Sequence, residues 1–157
     1  MPVLGLFFFS LLVGLTAYSQ KPNPPKITPI AKFKPPVVTT KLGRAASPQT
    51  SIPVQEIPDL VRLSLRAWDA KGNNYRVVYY QLMYTRRVVT EDENTGEAKP
   101  AMDMISSDFF QTPLTTRWID AISAAPKKGE KLHFFDVMAI DEKGRRFLAP
   151  DLIVTFE

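Results

Sequence analysis

The chain has no cysteine and a single histidine, His133, among its 157 residues. These absences exclude a disulfide framework, a thiolate nucleophile, zinc-finger and iron-sulfur ligation, and any metal centre that needs two imidazoles. They exclude a lipid-anchored lipoprotein as well, because its processing site requires a cysteine. Glycine is scarce too, at seven residues, and no glycine-rich cradle follows a strand and opens a helix, so nucleotide binding has no support. No G-x-S-x-G elbow supplies a nucleophile. No cofactor is expected, and what remains is binding and architecture.

Proline, by contrast, is abundant at 14 residues. Residues 3–15 form a nearly unbroken apolar run, followed by Ala17-Tyr18-Ser19, whose small residues stand where a cleavage site needs them. This predicts a secretory signal peptide over residues 1–19, cut before Gln20, and a periplasmic location. A membrane-spanning helix wants about 20 apolar residues and this run is shorter, so no spanning helix is expected in the mature chain. Residues 21–58 carry nine prolines, a spacing no helix survives, and 20–58 reads as a Pro-rich, basic, disordered tether. Six Lys and Arg against Glu56 give 21–58 a charge of +5, whereas 59–157 holds 14 basic and 15 acidic residues. The basic character therefore belongs to the tether. A near-neutral domain lacks the dense positive field that phosphate backbones demand, which argues against a nucleic-acid partner.

Residues 59–157 are long enough to build one small core. Val61, Leu63, Leu65 and Ala67 alternate with Arg62, Ser64, Arg66 and Trp68, the period of a strand with one buried face. Asp69-Ala70-Lys71-Gly72 then has the chemistry of a three-residue hairpin loop with a glycine bulge. The return strand covers residues 75–89, rich in β-branched and aromatic side chains. The same turn chemistry recurs at Asp141-Glu142-Lys143-Gly144, joining a strand over 131–140 to a closing strand over 152–156. Between the hairpins, Leu114, Trp118, Ala121, Ile122 and Ala125 fall on one face of a helix that Thr115 or Thr116 can cap. Residues 91–103 read as a polar loop, and 104–110 as a short edge strand. The fold class is mostly β: a small immunoglobulin-like β-sandwich with one short helix.

The segment 118–157 shows a short helix to Ala125, then Lys127-Lys128-Gly129-Glu130-Lys131, then the strand Phe134-Phe135-Asp136-Val137, then Asp141-Glu142-Lys143-Gly144 and Ala149-Pro150-Asp151-Leu152. It resembles the C-terminal periplasmic domain of the gliding-motility and type IX secretion family called GldM or PorM. The resemblance covers some 40 residues and is suggestive back to Leu60. It implies a β-sandwich module that binds other proteins of a secretion machine in the envelope and has no enzyme activity. The family's membrane helix and preceding periplasmic domains have no counterpart here, so the expectation is a freestanding component or accessory.

Among single residues, His133 reads as a strand imidazole rather than a base. The run Asp92-Glu93-Asn94-Thr95-Gly96-Glu97 loosely suggests a calcium loop but lacks the twelve-residue spacing of an EF-hand, and no metal is expected. Asp69, Asp141 and Asp151 are conceivable as paired carboxylates for glycoside hydrolysis, although turn formation accounts for the first two. The partner-binding candidates lie on the first hairpin. Pairing Ala67 with Tyr75, Leu65 with Val77 and Leu63 with Tyr79 puts these in the core and leaves Arg62, Arg66, Trp68, Arg76 and Tyr80 on the other face. Trp, Tyr and Arg together are the composition of binding hot spots. A carbohydrate or cell-wall binding module, with Trp68, Tyr79 and Tyr80 as stacking platforms, is the second reading. A one-residue slip of register would exchange the faces.

Overall fold

The computed structural model describes residues 33–157; the expected signal segment, and the expected tether as far as residue 32, lie outside the described residues. The order of elements is β1 (Val38–Leu42), β2 (Ala45–Ala46), β3 (Gln49–Ile52), a 3₁₀ turn (Val54–Glu56), α1 (Ile57–Leu60), β4 (Leu65–Asp69), β5 (Asn74–Glu91), β6 (Ala98–Phe109), α2 (Thr116–Ser123), β7 (Lys131–Ile140), β8 (Arg146–Leu148) and β9 (Leu152–Phe156). All nine strands belong to one sheet, ordered β2-β1-β4-β5-β7-β9-β3, with β6 paired to β5 and β8 to β7. The two ends of that order, β2 and β3, are consecutive in the chain, so the sheet must curl back on itself. Their linker is tied on both sides: the Ser47 amide donates to the Thr40 carbonyl of β1, and the Pro48 carbonyl accepts from the Ile153 amide of β9, each at 2.9 Å. The result is a mostly β, nearly closed barrel or sandwich with two short α-helices among the described residues.

The first hairpin forms as its turn chemistry predicts. Gly72 adopts φ +85°, its amide donates to the Asp69 carbonyl at 3.1 Å, and Ala67 stands opposite Tyr75. Gly144 does the same for β7 and β8, at φ +77° and 3.0 Å from the Asp141 carbonyl. The direct partner across that turn is the short β8; β9 follows after a break and continues along the same edge of β7. Helix α2 buries Ile119 and Ile122, with Leu114 just ahead of it, while Ala121 and Ala125 of the expected face are exposed. Thr115 occupies the N-cap position without a side-chain cap bond. Trp118 and Phe109 meet in a T-shaped contact, ring centroids 5.6 Å apart, which fastens the helix to β6.

The structure overturns the tether over its described part. Residues 38–52 are folded into the sheet, and 54–58 form the 3₁₀ turn and the start of α1: β1 pairs antiparallel with β4, and β3 runs parallel to β9. Val38, Thr40 and Leu42 alternate inward, and Ala45, Ile52 and Ile57 are fully buried. The prolines do not oppose this, because each stands where no ladder amide is needed. Pro48 lies in the link between strands, Pro53 precedes the 3₁₀ turn, and Pro58 occupies the first turn of α1. The polar loop is also shorter than expected. A turn around Asp92–Glu97 leads directly into a twelve-residue β6, which pairs with β5 from Ala98 to Phe109.

Two bulges between β5 and β7 decide which residues face out. Val77 pairs with Ala139 and Tyr79 with Met138, so Val78 is one residue extra in β5. Gln81 then pairs with Phe135, which leaves an extra residue in β7, where Asp136 takes φ +49°. A bulge reverses the inward-outward alternation beyond it. Tyr80, Leu82 and Tyr84 therefore point into the core and Tyr79 points out. Leu63, expected in the core, lies ahead of β4 and is 46% exposed.

Candidate functional site

Across the outer face of the sheet, Lys41, Arg66, Arg76, Ile140 and Arg146 stand in consecutive register on β1, β4, β5, β7 and β8. Alternation explains their exposure: the chain neighbours Leu42, Leu65, Val77, Ala139 and Phe147 fill the core. With strands about 4.8 Å apart, this row is roughly 19 Å long. Among the described residues none of its four cations has a carboxylate partner. Trp68 lies in the neighbouring row, half-buried, opposite Thr39 and Asn74.

The five partner-binding candidates thus separate. Arg66, Trp68 and Arg76 share the outer face. Arg62 is exposed but off the strand, in the turn after α1, where its amide donates to the Asp59 carbonyl at 3.3 Å. Tyr80 is corrected outright. It is 1% exposed, stacks nearly parallel on Phe109 with centroids 5.1 Å apart, and burial pushes its hydroxyl above the ordinary phenol range. The bulge at Val78 is the reason, and nothing in the composition of the strand announces it.

Tyr79 takes the outer position instead. It packs against Phe110 at 5.4 Å and continues in register to Met138 and Leu148, so an apolar row runs directly beside the cationic one. Phe110 is 76% and Leu148 67% exposed. Phe110, Met138 and Leu148 were missed by sequence reasoning. Their signal was the strand alternation itself, which puts Met138 and Ile140 on the same outward face.

The two turn aspartates leave the cations unneutralised. Asp69 Oδ1 accepts the Lys71 and Asn73 amides at 2.9 Å, and its Oδ2 accepts the Asn73 side-chain amide at 2.8 Å and the Tyr75 hydroxyl at 3.0 Å. The Asn73 side chain above all holds this carboxyl below its ordinary value of 3.8. Asp141 accepts the Lys143 and Arg145 amides at 2.9 Å and the Arg145 guanidinium at 2.8 Å. Desolvation works against its ionisation, but the Arg145 amide and guanidinium prevail and its carboxyl is lowered too. Both carboxylates are consumed inside their own turns. Between the turns opens a shallow cleft of about 630 Å³, lined by Asn73, Asn74, Arg76, Ile140 and Lys143 among others, and Arg76 joins it to the cationic row.

The remaining chemical candidates resolve into structure. His133 Nε2 lies 3.0 Å from Asp151 on the outer face, and its ring packs on Phe135 at 5.1 Å. Asp92 accepts the Asn94 and Thr95 amides and pairs with Lys99, so its oxygens are committed to the hairpin turn. Among the described residues no cluster of three or more His, Asp or Glu side chains is arranged to hold a metal ion, and no helix is long and apolar enough to cross a membrane. No protein-family model, no curated protein and no solved structure matches the chain.

Proposed function

We propose that the chain is an exported, non-catalytic protein-binding module, a component or accessory of a periplasmic secretion or gliding-motility assembly of the GldM kind. The observation that carries the binding reading is the juxtaposition of two rows on the outer sheet, cations on one and Tyr79, Met138 and Leu148 with Phe110 on the other. Exposed apolar strips rimmed by charge mark interaction surfaces, and Arg and aromatic rings dominate their energetics. The choice of assembly draws on the resemblance over residues 118–157 alone. Its order of helix, Lys-Lys-Gly turn, aromatic-acid strand and glycine turn is the order of α2, residues 127–130, β7 and residues 141–144.

Crosslinking in intact envelopes, followed by capture of the protein, tests this. Wild type should bring down a discrete partner. Arg66→Ala with Trp68→Ala, and separately Phe110→Ser, should weaken that association by about 2 kcal/mol or more, with melting temperatures little changed. Variants that fold and still capture every partner would move the interface elsewhere. The carbohydrate reading keeps Trp68 and Tyr79 as platforms but loses Tyr80 to the core; retention on peptidoglycan in the absence of other proteins would favour it.

A further inference from the structure

We infer that the row Lys41, Arg66, Arg76, Ile140 and Arg146 recognises an extended peptide segment of the partner laid across the strands, with acidic residues at its first, third and seventh positions and an apolar residue at its fifth. This rests on the protein-binding reading above and names the chemistry of the partner at that site. An extended segment advances about 3.3 Å per residue, so side chains on one of its faces recur roughly every 6.6 Å. Placed along a row with strand spacing of about 4.8 Å, the first such side chain meets Lys41, the second falls between Arg66 and Arg76, the third reaches Ile140 and the fourth meets Arg146. The single apolar member of the row thus coincides with one position of the peptide, and two adjacent guanidinium groups converge on another.

Three features favour a carboxylate-bearing peptide over other polyanions. Three of the four cations are arginines, whose planar forks match carboxylate geometry. The half-buried Ile140 interrupts the cations with a surface that suits an aliphatic side chain. The adjacent apolar row of Tyr79, Met138 and Leu148 lies within reach of residues flanking the segment. The turn carboxylates Asp69 and Asp141 are held by donors of their own turns.

The test is fluorescence anisotropy with the purified protein and labelled heptapeptides in low salt. The first probe carries glutamate at positions one, three and seven, leucine at five, and serine elsewhere. The second has the same composition with leucine moved to position one and glutamate at three, five and seven. The first should bind about fivefold or more tightly than the second, and Ile140→Ser should abolish that preference. Arg66→Glu with Arg76→Glu should weaken the first peptide at least about tenfold, while Lys127→Glu with Lys128→Glu, at the opposite end of β7, leaves it unchanged. Equal binding of the two peptides, or tighter binding of charge-matched polygalacturonate, would overturn the inference, the latter in favour of an acidic glycan. Absence of peptide binding combined with an envelope partner that still depends on Phe110 sinks the inference and leaves the protein-binding reading standing; loss of both removes the reading itself.

Discussion

The Tyr84 hydroxyl donates to Glu130 Oε2 at 2.6 Å in the interior of the sheet, where Glu130 is only 2% exposed. The same carboxylate accepts the Arg87 amide at 2.8 Å and the Lys127 amide at 3.1 Å. One side chain therefore ties β5, at the point where the β5–β6 ribbon leaves β7, to the turn that precedes β7. A carboxylate with this many donors is a satisfied buried anion and not a stray charge. Burial first, and the Glu130 anion second, push the Tyr84 hydroxyl above the ordinary phenol range.

Glu130→Ala should be among the most damaging single substitutions in the domain. It leaves the buried Tyr84 hydroxyl and the partly buried amides of Arg87 and Lys127 without this acceptor, a loss of about 3 kcal/mol or more. Tyr84→Phe removes only one donor and should cost about 1–2 kcal/mol. Urea denaturation of both variants checks the order, and equal midpoints would show that Glu130 does not organise the junction.

The boundary of the folded unit gives a second expectation. A chain beginning at Lys34 should unfold cooperatively, with a melting temperature close to that of the longer protein. One beginning at Pro58 lacks β1, β2, β3 and the first residue of α1, and with them Val38, Leu42, Ala45, Ile52 and Ile57 of the core. Each large buried side chain contributes about 1.5–3 kcal/mol, and together they rival the roughly 5–15 kcal/mol of a whole domain. Calorimetry should show no cooperative transition for the shorter chain; a sharp one would mean that β1 and β3 are dispensable.

At the glycine turns, Gly72→Val and Gly144→Val should each destabilise by about 1 kcal/mol or more, because a β-branched residue is strained at positive φ. Open space surrounds both positions, so the cost lies in the backbone and not in a collision. Gly72→Asn, which tolerates that conformation, should lose much less. Similar melting temperatures for the Val and Asn variants would argue against the strain account.

Acid should loosen the same end of the sheet. Asp69 and Asp141 have carboxyls lowered in the folded chain relative to 3.8. Each therefore stabilises the fold fully above that value, and the contribution is lost as pH falls through the folded value. Amides of residues 71, 73, 143 and 145 should gain hydrogen exchange below about pH 4 before those of β5 and β7 do. Replacing both aspartates by asparagine should flatten this part of the profile. Unchanged exchange at the turns across the acid range would refute the assignment.

Much of this fold is readable where local chemistry alone decides it. The alternation around Leu65 and Ala67, the two Asp-x-x-Gly turns, and a helix stopped ahead of Pro126 all follow from short stretches of chain. Two things do not. The prolines at 48, 53 and 58 make residues 38–58 look like spacer, since the partners that order those strands, β4 and β9, are supplied from far along the chain. The bulges at Val78 and Asp136 exchange Tyr79 and Tyr80 between surface and core. An extra residue leaves no mark in a run as uniformly apolar as Val77-Val78-Tyr79-Tyr80, so of the anticipated surface Arg66, Trp68 and Arg76 stand together, and the outward ring is the neighbour of the one expected.

Strand β3 lies beside β9 in parallel, with Gln49 opposite Ile153. A chain synthesised from its amino end therefore makes β3 about 100 residues before the strand it pairs with exists. Until then Ile52 of β3 has no strand to lie against, although β1 already has β2 and β4, and no amino-terminal fragment can rehearse the finished sheet. Such long-range pairing raises contact order and slows folding. The commitment to the native state is thus deferred until β9 arrives, and while the chain waits, whatever shields β3 governs its yield.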